Sequence, residues 1–262
     1  MIKLFRKIRK ELWVDNKATS SAGRLGRYVI YAAGEILLIV IGILIALNLN
    51  NWNERRKAEA LELEYLQRIY TDLKADTRYF EDQIKECDKV IRSNYQAIHE
   101  AYKEQKTQEE YSRLIDLYTH RTENLVVQNS TYLELNNSGK LRVFQNRGIK
   151  DSLIALNRDY EYAAARIKEF NDFHANIISS LKDYPRKYSK ERAFIFDEPH
   201  MFDPSEWEYI NEPTSQAFKD QEWAATMYLV KHREAKELHK TLLKKIGFLT
   251  QEIEAELNER KR

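Results

Sequence analysis

Residues 28–47 read YVIYAAGEILLIVIGILIAL, twenty residues with one charged side chain, Glu35. As a helix this stretch spans about 30 Å, the thickness of a bilayer's hydrocarbon core. It is too long for the apolar region of an ordinary cleaved signal peptide, roughly 7–15 residues. The sequence behind it, Asn48-Leu49-Asn50-Asn51-Trp52, offers no small-x-small cleavage site. We therefore expect an uncleaved membrane anchor, against the alternative of a buried helix in a soluble domain.

The flanks orient it. Lys3, Arg6, Lys7, Arg9, Lys10, Lys17, Arg24 and Arg27 precede the span against Glu11 and Asp15, whereas Arg55, Arg56 and Lys57 follow it. The positive-inside rule places the N-terminus in the cytoplasm, and in a bacterium the rest in the periplasm. Tyr28 and Trp52 stand where interfacial aromatics belong. Ile2, Phe5, Ile8 and Leu12 share one helical face opposite Lys and Arg, a basic amphipathic pattern suited to the anionic inner leaflet; an ordinary charged flank reads the same way. The expected organisation is a cytoplasmic segment 1–27, a transmembrane helix 28–47 and a periplasmic part 48–262.

Composition restricts that last part. The chain has 262 residues, 43 Lys plus Arg and 41 Asp plus Glu, for a net charge of +2. This balance argues against a protein that binds nucleic acid by bulk positive charge. Gly and Pro together are about 4% of the residues, against roughly 12% on average. So few turn-formers cannot punctuate a sandwich or barrel. One cysteine excludes an intramolecular disulfide framework or a multi-cysteine metal site. The fold class expected is all-α, with the span continuous with a long helix and an antiparallel helical bundle or coiled coil beyond it.

Periodicity supplies the elements. From residue 50 to about 105 there is no Gly or Pro, and Leu66, Ile69, Leu73, Phe80, Ile84, Cys87, Ile91, Ile98 and Tyr102 form a stripe at 3–4 spacing, with Asp76 and Asn94 as polar breaks. A weaker helix is expected over 109–120. Ser130 reads as a helix N-cap, Gly139 as a stop and Asn146 as the cap of the next helix. There Ile149, Leu153, Leu156, Tyr160, Ala163, Ile167, Phe170, His174, Ile177 and Leu181 keep one face until Pro185. The last helix, from about 214, carries Phe218, Ala225, Tyr228, His232, Ala235, His239, Leu242, Ile246, Leu249 and Ile253 on one seam. Between these helices, residues 183–213 hold all four prolines. This irregular loop reads as an aromatic cap on the helices or as a functional element.

Several motifs resemble a known family. They are Phe5-Arg6-Lys7-Ile8-Arg9, the run GEIxLxxIGILIALxxNNWNE from Gly34 to Glu54, and Tyr132-Leu133-Glu134-Leu135 with Ser138-Gly139-Lys140-Leu141. The chain is similar in these to an uncharacterised family of single-pass membrane proteins from Bacteroidota-type bacteria, a domain of unknown function. The likeness is most specific over residues 1–75 and looser to about 160. It implies an inner-membrane protein with a periplasmic helical domain and lends no activity. The polar insert 16–23 is longer than the family's usual pattern.

Four groups of residues are worth testing for function. A charge at the depth of Glu35 costs at least about 2.5–3.5 kcal/mol, so a partner or a polar path is expected there. Tyr28, Ala32, Glu35, Gly42 and Ala46 lie on one helical face, and Gly42-xxx-Ala46 permits close helix approach. That face is expected to meet another span, its own copy or another envelope membrane protein. His174, His232 and His239 occupy seam positions; they are weak candidates for a metal or a pH sensor and read more simply as a hydrated polar layer. In the loop, Phe194, Phe196, His200, Phe202, Trp207 and Tyr209 could hold a ligand or partner, and Asp197, Glu198, His200 and Asp203 form a small acidic group. Cys87 reads as an inert core thiol. No phosphate-binding loop, dinucleotide fingerprint or nucleophile elbow is present, and no cofactor is expected. The function expected is a non-catalytic, membrane-anchored periplasmic interaction or scaffold subunit, with a periplasmic ligand sensor acting through a membrane partner as the alternative.

Overall fold

The computed structural model describes residues 21–104, 106, 107, 110, 124–180, 209 and 211–260, with the side chains of residues 21–31, 178 and 180 excepted. The amphipathic N-terminal segment, the helix expected over 109–120 and most of the loop 183–213 lie outside the described residues. Among the described residues every regular element is helical: α1 (Ser21–Ala101), α2 (Ser130–Asn137), a 3-10 turn (Lys140–Val143), α3 (Arg147–Ser180) and α4 (Gln216–Glu259). They fall into two units, Met1–Ala60 and Leu61–Arg262.

Among the described residues one helix, α1, is long and apolar enough to cross a membrane, and its apolar stretch lies in the first unit. From Ala32 to Trp52 its side chains are all exposed. The Arg56 guanidinium sits 5.1 Å from the Trp52 ring centroid, a cation–π contact just beyond the apolar stretch.

In the second unit α1, α3 and α4 lie side by side. The Gln145 N–H donates to Glu62 and the Tyr160 hydroxyl to Asp76, so α1 and α3 run in the same direction. Glu62 pairs with Arg260, Asp88 with Lys236 and Tyr102 with Glu222, so α4 opposes α1. Asn146 with Glu256 and His174 with Tyr228 set α4 against α3 in the same sense. The core includes Leu66, Leu73, Phe80, Leu135, Ile149, Leu156, Ile246 and Ile253. Each such side chain contributes about 1.5–3 kcal/mol on burial.

The buried seam of α1 steps alternately by four and three, with Tyr65 buried beside it: Glu62, Leu66, Ile69, Leu73, Asp76 and Phe80, then Cys87, Val90, Asn94, Ala97 and Ala101. This corrects the expected stripe. Ile84, Ile91 and Ile98 are half-buried flank residues, and Tyr102 is 52% exposed. The phase set by Leu66 to Phe80 carries the seam onto small and polar residues, whereas choosing the most apolar residue of each turn drifts off it. Asp76 and Asn94 therefore lie inside the seam. In α3 and α4 the expected described seam positions are buried, except Phe170 and Ile177, which are half-buried.

The connections show why the helices begin and end where they do. Asn129, not Ser130, occupies the cap of α2, without a side-chain hydrogen bond. Gly139 follows α2 at φ 67°, a left-handed conformation that a Cβ disfavours. Asn146 Oδ1 accepts the Ile149 N–H at 3.2 Å and so caps α3. Ser215 caps α4 in the same way through the Phe218 N–H. Residues 124–129 run along α1, held there by two of its side chains. The Tyr79 hydroxyl donates to the Asn124 carbonyl and accepts from the Val126 N–H, and the Gln128 N–H donates to Asp76.

Candidate functional site

In the first unit the candidate site is one face of α1. Ala32, Glu35, Gly42 and Ala46 recur at helical spacing, with Ile39 between them, so the side chains repeat by three and four. Tyr28 belongs to the helix, but its side chain lies outside the described ones. Nothing in the chain comes within 4 Å of a Cβ built at Gly34 or Gly42. Intrachain packing therefore gives no reason for glycine at either place, although glycine costs a helix about 1 kcal/mol relative to alanine.

In the second unit, α3 and α4 enclose an open groove of about 630 Å³. Phe170, Phe173, Met227 and Val230 line it, and Lys168, Glu169, Asp172 and Lys231 edge it. Phe173 is 53% and Val230 41% exposed. The volume is that of a small-molecule site and the lining is predominantly apolar, as such sites are.

His174 forms one wall of this groove and is buried. Its ring lies 4.5 Å from that of Tyr228, which lies 4.3 Å from that of His232. His232 Nδ1 is 2.8 Å from the Tyr228 carbonyl oxygen. The structure thus interleaves two of the three seam histidines with a tyrosine. His239 is two turns further along α4, against Phe80 at 5.5 Å. Among the described residues no three His, Cys, Asp or Glu side chains cluster as metal ligands would. Cys87 is buried in the seam. Phe194, Phe196, His200, Phe202 and Trp207 lie outside the described residues; Tyr209 accepts the Glu212 N–H through its carbonyl just before α4.

The sequence reading had Asp76 only as a polar break without its partners, and it passed over Glu62. Buried Asp76 accepts the Tyr160 hydroxyl at 2.6 Å and the Gln128 N–H at 2.7 Å. Burial raises the Asp76 carboxyl above its ordinary range despite these donors, and burial with the adjacent carboxylate raises Tyr160. Glu62, fully buried, accepts the Gln145 N–H at 2.7 Å, and its other oxygen lies 2.9 Å from the Arg260 guanidinium. Glu256, held below its ordinary value by Asn146 and Arg260, completes the cluster. The signal for both was a carboxylate on a seam position, Asp76 or Glu62, which must find donors once buried.

A family of unknown function, DUF6090, matches residues 35–187. The chain belongs to this family. The DUF6090 match opens at Glu35, takes in the rest of α1, α2 and α3, and stops short of α4. No curated protein and no solved structure matches the chain.

Proposed function

We propose that this DUF6090 chain is a non-catalytic, membrane-anchored interaction subunit of the bacterial envelope. The span would cross the inner membrane with its N-terminus in the cytoplasm, as the basic flank favours. The second unit would stand in the periplasm as an antiparallel helical bundle of the coiled-coil type. One observation carries this reading: a single helix, Ser21–Ala101, contains both the membrane-length apolar window and the seam on which α3 and α4 pack. Such a helix ties whatever binds the second unit to the bilayer. The test is recovery of tagged full-length protein in mild detergent, with mass photometry of the eluate. A homo-oligomer or a stoichiometric second protein is expected; a clean monomer would overturn the scaffold reading.

The groove between α3 and α4 favours a second reading, a sensor for a small, largely apolar ligand. Thermal shift of the protein against metabolite pools tests it, because a ligand at 100 times its Kd raises stability by about 2.7 kcal/mol. A shift that vanishes in Phe173→Ala would support the sensor, and no shift with any pool would remove it.

A further inference from the structure

We propose that the chain self-associates in the membrane through the α1 face bearing Ala32, Glu35, Ile39, Gly42 and Ala46, with a second copy of the same span as its partner. This rests on the membrane-anchored reading above and names the partner of its span.

Two observations support it. Glu35 lies inside the apolar stretch, where the hydrocarbon core offers a carboxyl no water. A carboxyl at such a depth recruits a hydrogen-bonding partner from another span. Every copy inserts with the same orientation, so the Glu35 of a second copy sits at the same depth by construction, whereas an unrelated span has to carry a polar group there by coincidence. The second observation is the glycine at position 42, which no intrachain neighbour requires, one turn from Ala46 on the Glu35 face. It clears the surface for another backbone beside the carboxyl. The Glu35 row itself repeats by three and four, the spacing at which packed helices face one another.

Cysteine scanning of the full-length chain in native membranes tests the proposal, with the wild type and its buried Cys87 as background. Single cysteines go at Ile39 and Ala46 on the face, and at Leu37 and Leu44 on the opposite side. Mild oxidation should give a disulfide-linked band of twice the chain mass for Ile39→Cys and Ala46→Cys and none for Leu37→Cys or Leu44→Cys. Adding Glu35→Leu should abolish that band, and adding Glu35→Gln, which keeps a hydrogen-bonding side chain, should preserve it. Equal cross-linking at all four positions, none at any, or cross-linking to a protein of another mass would overturn self-association. Alkaline carbonate extraction separates this failure from that of the anchored reading. Chains that resist extraction but fail to cross-link remain anchored without a second copy. Chains released by carbonate overturn both.

Discussion

At the scale of single residues, burial decides which polar groups matter. Asp76 and Tyr160 share a short hydrogen bond inside the seam. Tyr160→Phe removes the donor and leaves a buried carboxylate under-satisfied, so we expect a loss of about 1–3 kcal/mol in urea unfolding of the full-length protein. The pH dependence of this site has a definite sign. A carboxyl raised in the folded state stabilises the fold fully below its unfolded value and loses that contribution as pH rises through its folded value. Asp76→Asn should therefore gain stability relative to the wild type as pH climbs from about 4 towards 7. Glu256 acts oppositely: its lowered value gives stability above the unfolded pKa that is lost as pH falls. Glu256→Gln should flatten the acid limb of the unfolding curve, and an unchanged acid limb would show that its partners do not hold it in solution.

At the scale of the helix, the alternation of steps in α1 sets the cost of truncation. Phe80 is fully buried between Tyr79, Tyr160 and His239. Phe80→Ala should cost about 3–5 kcal/mol. Ile84 is only half-buried, and Ile84→Ala should cost clearly less, although isoleucine alone would suggest a comparable penalty. Equal shifts in the denaturation midpoint would put the seam in the other phase. At the end of α2, Gly139 adopts φ 67° with nothing within 4 Å of an added Cβ. Gly139→Ala should then cost about 1–2 kcal/mol through backbone strain alone.

At the scale of the whole molecule, the second unit is closed by a few long-range contacts at one end. Arg260, near the end of the chain, reaches both Glu62 and Glu256. Glu62 is fully buried, whereas the Arg260 side chain keeps 22% of its exposure, which weakens the pair below a fully desolvated one. Arg260→Ala should lower stability by about 1–3 kcal/mol, and the double variant with Glu62→Gln should recover part of that loss. At this scale function also becomes legible. The groove between α3 and α4 presents an apolar surface for binding.

The sequence by itself determined the class of the molecule. A twenty-residue apolar run gives a helix long and apolar enough to cross a membrane, and the scarcity of Gly and Pro forces long helices. In α3 and α4 the steps of three and four already mark the buried face, because helical periodicity is a local property of consecutive residues. Only the tertiary structure decided that α3 runs with α1 and α4 against both, that Asn94 and not Ile91 faces inward, and that Asp76 meets Tyr160 while Glu62 meets Arg260. Several seams of similar apolarity can pair in either direction, and the choice rests on summed contacts between residues more than 50 positions apart. The groove beside His174 was invisible for the same reason: it belongs to the space between two helices, and no single stretch of sequence encodes it.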